Sequence, residues 1–214
     1  MSMDFDKLVP RARAFLGELE QNNTRGWFND HKAQYEDTLK TPALALLDKI
    51  AASLEKQTGV VPATKLFRPQ RDVRFSKDKT PYHTHLHMLW TTGRVGWFLG
   101  ISTGYVTAGA GAMGFDKDGL QRWRAAVDGP GGDRIAACVT ALSASGARIS
   151  DPELKRVPAP FDKDHPHAGL LRRKSLTAWH DLTEADIKKG GLIAGIETAF
   201  SELQPLARVL RPLL

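Results

Sequence analysis

Between Phe67 and His87 the chain reads F-R-P-Q-R-D-V-R-F-S-K-D-K-T-P-Y-H-T-H-L-H, and here the side chains able to do chemistry are densest. The guanidinium forks of Arg68, Arg71 and Arg74 suit bidentate recognition of phosphate or carboxylate. Asp72 can orient one of those forks, and Lys77 and Lys79 are mobile cations able to close over a small anion. Ser76 and Tyr82 add hydroxyls to the same candidate anion-binding set. Asp72, Tyr82 and His85 are the candidates for proton transfer, which requires a group held within hydrogen-bond reach of the proton it moves. His83, His85 and His87 alternate, so a strand would place all three imidazoles on one face as a candidate metal set. Asp162, Asp164, His165 and His167 are further candidate ligands. This alternation is far less diagnostic than a helix-borne H-E-x-x-H, so metal is the lesser reading and no cofactor is expected. Ser76 lacks a G-x-S-x-G elbow, which argues against a serine nucleophile.

Charge is concentrated in the same place. Lys65 to Lys79 holds six basic residues and two acidic ones, a local excess of +4 within a chain of net charge +6. Such a focus favours an anionic partner. The plainer alternatives are a solvated charged face or a structural Arg–Asp network, since buried charges need partners whatever a protein does.

R-D-V-R-F-S-K-D-K-T-P-Y, Arg71 to Tyr82, resembles the signature of an uncharacterised family of domain-sized bacterial and fungal proteins that carries a domain-of-unknown-function label. The resemblance extends over nearly the whole chain. N-N-T-R-G-W-F (Asn22 to Phe28) is similar to its N-terminal motif, and D-K-D-H-P (Asp162 to Pro166) with L-L-R-R-K (Leu170 to Lys174) to its C-terminal one. Trp123-Arg124 stands where the family's central helix carries an arginine, which adds Arg124 to the candidate ligand-binding residues. The chain departs from the pattern at His83, where lysine is more usual, at His87, and at Ala159-Pro160. Those departures weaken a family-wide role for the three histidines, and the resemblance implies no particular activity.

The elements that must position this stretch follow from periodicity. Phe67 to Phe75 fits a strand of period 2, with Phe67, Pro69, Arg71, Val73 and Phe75 turned towards the core and Arg68, Asp72 and Arg74 outward. Ser76 to Pro81 reads as a turn, and a second strand starts at Tyr82. Upstream, Leu8, Phe15, Leu16 and Leu19 mark a helix ended by Asn22-Asn23, and Thr24 caps a second through Trp27, Phe28, His31 and Tyr35. Thr41-Pro42 begins a third, with Leu44, Leu47, Ile50, Ala51 and Leu54 as its stripe and Gly59 as its stop.

Downstream, Thr92-Gly93 signals a hairpin, and the glycine-laced run from Tyr105 to Phe115 lets a neighbouring element or a ligand approach its backbone. That run is not a dinucleotide fingerprint, because it sits in a strand pattern with no βαβ context. Asp116 caps a helix striped by Leu120, Trp123 and Val127, and Gly129 to Gly132 breaks it before Ile135 to Leu142. Leu154 to Val157 reads as extended. Pro166 opens a helix through Leu170, Leu171, Leu176 and Trp179, Thr183 with Asp186 forms a capping box, and a last helix kinks or ends at Pro205. The sum is one α+β domain, 1–214, with a mostly antiparallel sheet surrounded by helices and helical first and last thirds.

At 42% apolar and 25% charged the composition is that of a soluble globular protein, and one cysteine, Cys138, excludes an internal disulfide. With no membrane span or signal pattern, cytoplasm is the expected location and no membrane partner is expected. A small anionic molecule is the expected partner, with binding as the reading and turnover as its enzymatic extension. A nucleic acid is permitted by a pI near 9.5 but not favoured, because the aromatics fall on apolar stripes instead of between the basic residues. A metal-dependent hydrolase using His83, His85 and His87, and a non-catalytic interaction module, complete the alternatives. Nothing in the sequence sets the oligomeric state.

Overall fold

The computed structural model describes residues 4–214. Helices come first: α1 (Leu8–Gln21), α2 (Arg25–Asp30), α3 (Lys32–Tyr35) and α4 (Thr41–Thr58), followed by strands β1 (Ala63–Leu66), β2 (His85–Thr92), β3 (Val95–Ser102) and β4 (Val106–Ala112). Then come α5 (Lys117–Asp128), α6 (Gly132–Ala144), β5 (Arg148–Ile149), α7 (Ala168–Leu171), β6 (Leu176–Asp181), α8 (Glu184–Gly190) and α9 (Leu192–Leu210). The strands form one antiparallel sheet in the order β1-β2-β3-β4-β6-β5. The fold is therefore α+β and helical at both ends, as the periodicities predict.

By contact density the chain divides into two compact units. One runs through Trp90 and adds Phe98–Ala108 and Asp181–Thr198; the other comprises Thr91–Trp97, Gly109–His180 and Ala199–Leu214. The first unit holds the histidines and the basic stretch. Its core gathers Phe15, Phe28, Tyr35, Leu46, Ile50 and Trp90, all buried. Phe15 meets Phe28 edge-on, and the Trp90 indole N–H donates to the Leu47 carbonyl on α4 at 2.8 Å. Local capping follows the sequence closely here. The Thr24 hydroxyl accepts the Trp27 N–H, and Gly59 ends α4 in the left-handed region at φ 71°.

Thr41, in contrast, is no cap. A π-helical segment, Glu36–Lys40, carries the chain straight into α4, and Thr41 has helical dihedrals. Of the expected α4 stripe Leu47, Ile50 and Leu54 are buried, joined by Ala43 and Leu46, while Leu44 is 45% exposed and Ala51 half-buried.

In the second unit the core is built on Trp97, Trp123, Val127, Leu171 and Phe200. Asp116 caps α5 by accepting the Gly119 N–H at 2.7 Å, and the Trp123 indole N–H donates to the Leu170 carbonyl at 3.0 Å. Two expectations fail in this unit. Leu154 to Val157 forms no strand; the extended element is the two-residue β5, which pairs with β6 through Arg148↔Trp179 and Ile149↔Ala178. Leu176 and Trp179 lie on β6, not on the helix that Pro166 introduces, which shrinks to the four residues of α7. Elsewhere the capping box of Thr183 and Asp186 is present, and α9 continues through Pro205 without ending there.

Candidate anion-binding site

β1 is the edge strand, and it stops at Leu66, nine residues short of the strand end expected at Phe75. Beyond it the chain still runs beside the segment that leads into β2, but only through separated bonds. The Phe67 N–H donates to the His87 carbonyl at 3.0 Å, the His83 N–H to the Pro69 carbonyl at 2.7 Å, and the Arg71 N–H to the Pro81 carbonyl at 2.8 Å. Gln70 and Tyr82 form an isolated bridge. Pro69 and Pro81 each lack an N–H, so no regular ladder can cross this region, and β2 starts at His85 instead of Tyr82.

Tyr82 anchors the return of the chain. Its ring stacks on Phe28 at 4.1 Å, and the Asn23 side chain both donates to its carbonyl at 2.9 Å and accepts its N–H at 3.1 Å. Asn23→Ala should cost about 1–3 kcal/mol, since it leaves two part-buried backbone groups unpaired. A chemical-denaturation midpoint unchanged from the parent would contradict this.

Between these anchors the signature residues close on one another. Arg71 donates to the Asp78 carboxylate at 2.5 Å, to the Thr80 carbonyl at 3.0 Å and to the Thr80 hydroxyl. Arg74 grips Asp72 as a fork, Nε to Oδ1 at 2.9 Å and NH2 to Oδ2 at 2.6 Å. Lys79 Nζ donates to the Val73 carbonyl at 3.0 Å. Hydrogen bonds from Thr80 and Arg71 hold the Asp78 carboxyl down at about 2, and the Arg74 fork lowers that of Asp72. Side by side placement of Asp72 and Arg74 is as the i, i+2 spacing predicts, but on an exposed loop instead of a strand.

The face assignment along this stretch fails. Phe67 is 41% exposed and Phe75 96% exposed, although both were expected to meet the core. Period 2 cannot hold where the strand has already ended.

Concavity lies beside the loop, not within it. A cleft of about 360 Å³ is lined by Lys65, Arg68, Gln70 and the three histidines, with Phe67 at its wall. The side chains of Arg68 and Lys77 enter no hydrogen bond or ion pair with the described residues. A second cleft, of about 580 Å³, shares Lys65 to Arg68 and adds Lys32, Lys40, Phe28 and Tyr35. Lys65, Lys32, Lys40 and Gln70 were not among the candidates; Lys65 was visible in the charge count alone.

His85 and His87 occupy one face of β2, as their alternation predicts, with Leu86 and Met88 buried behind them and His83 just ahead of the strand. The His85 ring stacks on His87 at 3.7 Å, while His83 lies tilted against His85 at 4.7 Å. His87 Nε2 lies 2.9 Å from the Tyr105 hydroxyl. Gly100 makes room for this pair, since a Cβ there would sit 3.0 Å from the Tyr105 ring and 3.2 Å from His87. Burial lowers the basicity of all three imidazoles, His87 most, to about 4, with its neighbours' charge adding to the effect. The row is a set of neutral imidazoles near pH 7. Among the described residues no three His, Cys, Asp or Glu side chains are placed to hold a metal ion.

Other candidates stand apart from the cleft lining. His165 pairs with Asp128 at 3.4 Å and His167 with Asp133 at 3.0 Å, while Asp162 accepts the Asp164 N–H. Arg124, on α5 in the second unit, has a buried Nε without a hydrogen-bond partner. Asp72, Arg74, Ser76, Lys77 and Lys79 belong to the loop and do not line the cleft.

The fold and this site define an α+β protein with an open, cationic, imidazole-lined cleft next to a self-braced loop. Residues 11–208 match the family model described as conserved hypothetical protein, DUF2461, and the chain belongs to that family. No curated protein matches the chain. No helix among the described residues is long and apolar enough to cross a membrane.

Proposed function

We propose that the chain binds a small phosphate- or carboxylate-bearing anion in the cleft of Lys65, Arg68 and the histidine row. The observation that carries this reading is the unpaired guanidinium of Arg68 on a concave surface, beside a second cation and a row of imidazole N–H donors. A guanidinium whose N–H groups are not taken up by a carboxylate is a ready bidentate partner for an oxyanion. The cations at Arg71, Arg74 and Lys79 take a different role from the one their sequence pattern invites. They brace the loop and so fix the wall next to the cleft. Of the acid–base candidates Asp72, Tyr82 and His85, the cleft lining includes His85 alone, so any proton transfer to a bound ligand falls to it.

Thermal unfolding with added inorganic phosphate tests this. At ten times Kd the ligand should add about 1.4 kcal/mol, a rise of roughly 3–6 °C for a chain of this size. Arg68→Ala should abolish the rise and Arg74→Ala should keep it. The opposite pattern would move the site into the loop. Zinc or manganese, added after chelation, belongs in the same series. A metal-induced rise lost in His85→Ala, with no effect of phosphate, would replace the anion reading by a metal site.

A further inference from the structure

Resting on that anion site, we infer that its ligand is a single-stranded nucleic acid, with phosphates on Lys65 and Arg68 and bases stacked on Phe67 and Phe75. Recognition of unpaired bases needs π faces interleaved with cations. The sequence pattern argued against this by assigning these rings to the core, and the structure reverses the assignment. Phe75 is 96% exposed, with the Arg74 guanidinium 5.9 Å from its ring centre; Phe67 is 41% exposed, with Lys65 Nζ 4.5 Å from its own.

The loop and the cleft are electrostatic neighbours: Asp72, gripped by Arg74, also feels the charge of Arg68. Nor is Phe75 exposed on a slack loop. Salt bridges at Arg71–Asp78 and Arg74–Asp72 and the Lys79 bond to the Val73 carbonyl clamp the chain on both sides of it. A braced backbone loses little freedom when a base stacks on the ring it carries. A membrane-inserting loop would need a contiguous apolar tip, whereas Phe75 is flanked by Arg74 and Ser76 with Lys77 beyond. A duplex would offer its phosphates but keep its base faces stacked away from both rings.

Fluorescence anisotropy with labelled oligo-dT and oligo-rU of about 12 nucleotides reads this out. Three cations, Lys65, Arg68 and Lys77, are available to phosphates, so log K should fall with log salt at a slope of about −2. Phe75→Ala should weaken binding roughly tenfold or more. It should leave folding and the phosphate-induced thermal rise unchanged, because the ring touches no core. Arg68→Ala should weaken both oligonucleotide and phosphate binding.

A protein stabilised by phosphate that ignores oligonucleotides, or binds them equally well as Phe75→Ala, overturns the inference and leaves the small-anion reading standing. Neither phosphate nor oligonucleotide acting overturns both. Cosedimentation with phosphatidylserine vesicles, lost in Phe75→Ala while oligonucleotide affinity is not, overturns the inference in favour of a lipid surface.

Discussion

Gly111→Ala should destabilise the protein by about 3–5 kcal/mol, combining left-handed backbone strain with overpacking. Gly111 lies on β4 at φ 136°, and an added Cβ would fall 2.1 Å from the Leu176 carbonyl oxygen and 2.8 Å from the Thr177 Cα on β6. Both obstacles are main chain, so no rotamer change relieves them and the two strands would have to separate. The expected loss in Tm is roughly 10 °C or more. Gly109→Ala offers an internal comparison. Its Cβ would fall 2.2 Å from the Trp179 ring, a side chain that can be altered. Gly109→Ala alone should cost about 1–3 kcal/mol. Combined with Trp179→Leu it should cost less than the two single changes summed, since the leucine vacates the space the methyl needs. Trp179→Leu should give Gly111→Ala no such relief. A Tm for Gly111→Ala within a degree or two of the parent would sink the close-approach account of this strand pair.

That glycine run also shows where the sequence was legible and where it was not. Small residues from Tyr105 to Phe115 announce that another element or a ligand comes close to this backbone, and β6 does so, with the Trp179 side chain at Gly109 and main chain at Gly111. The approaching strand itself was hidden. Leu170, Leu171, Leu176 and Trp179 fit a helical stripe, and only pairing with β4 and β5 makes Leu176 to Asp181 extended. Short apolar runs are decided by such tertiary partners, while caps are decided within a few residues. Hence Thr24, Gly59, Asp116 and the Thr183–Asp186 box all appear where the sequence puts them.

The candidate site divides along the same line. Alternation placed the histidines on one face because β2 is a true strand at His85 and His87. It misplaced Phe67 and Phe75 because β1 has already ended at Leu66, before either ring. It also could not tell which cations pair within the loop. Arg71 finds Asp78 seven residues away, while Arg68 forms no ion pair and is only felt at a distance by Asp72. Charge counting sees the two arginines as equivalent.

Stability should fall as pH is lowered from about 6.5 to about 4, and the histidine row should account for much of the slope. The sign follows from linkage. Burial depresses the basicity of His83, His85 and His87 in the folded protein, so the unfolded chain binds protons first as the pH drops. Stability is fully present above the ordinary imidazole value near 6.5 and is lost down to the folded value, about 4 for His87. The nominal loss for His87 is a few kcal/mol, but the ring is partly open to water, and screening leaves about 1–2 kcal/mol. Carboxylates held low by their partners, Asp78 at about 2 among them, release their contribution mainly below this window.

The charges facing the row are cationic. Arg71 acts on His83, Lys65 and Arg68 line the same cleft, and each imidazole that charges acts on the next. His87→Gln should therefore flatten the decline in Tm between pH 6.5 and 4 while keeping a hydrogen-bonding partner for Tyr105. A bound oxyanion would neutralise the same cluster, so phosphate should flatten the parent's slope as well and do so less in Arg68→Ala. A parent Tm independent of pH across this window, or an identical slope in His87→Gln, would show that the row is too well solvated to be held neutral by burial. The cleft would then present charged imidazoles below pH 6.5 at no cost to the fold, and its anion affinity should climb with acidity without any matching loss of stability.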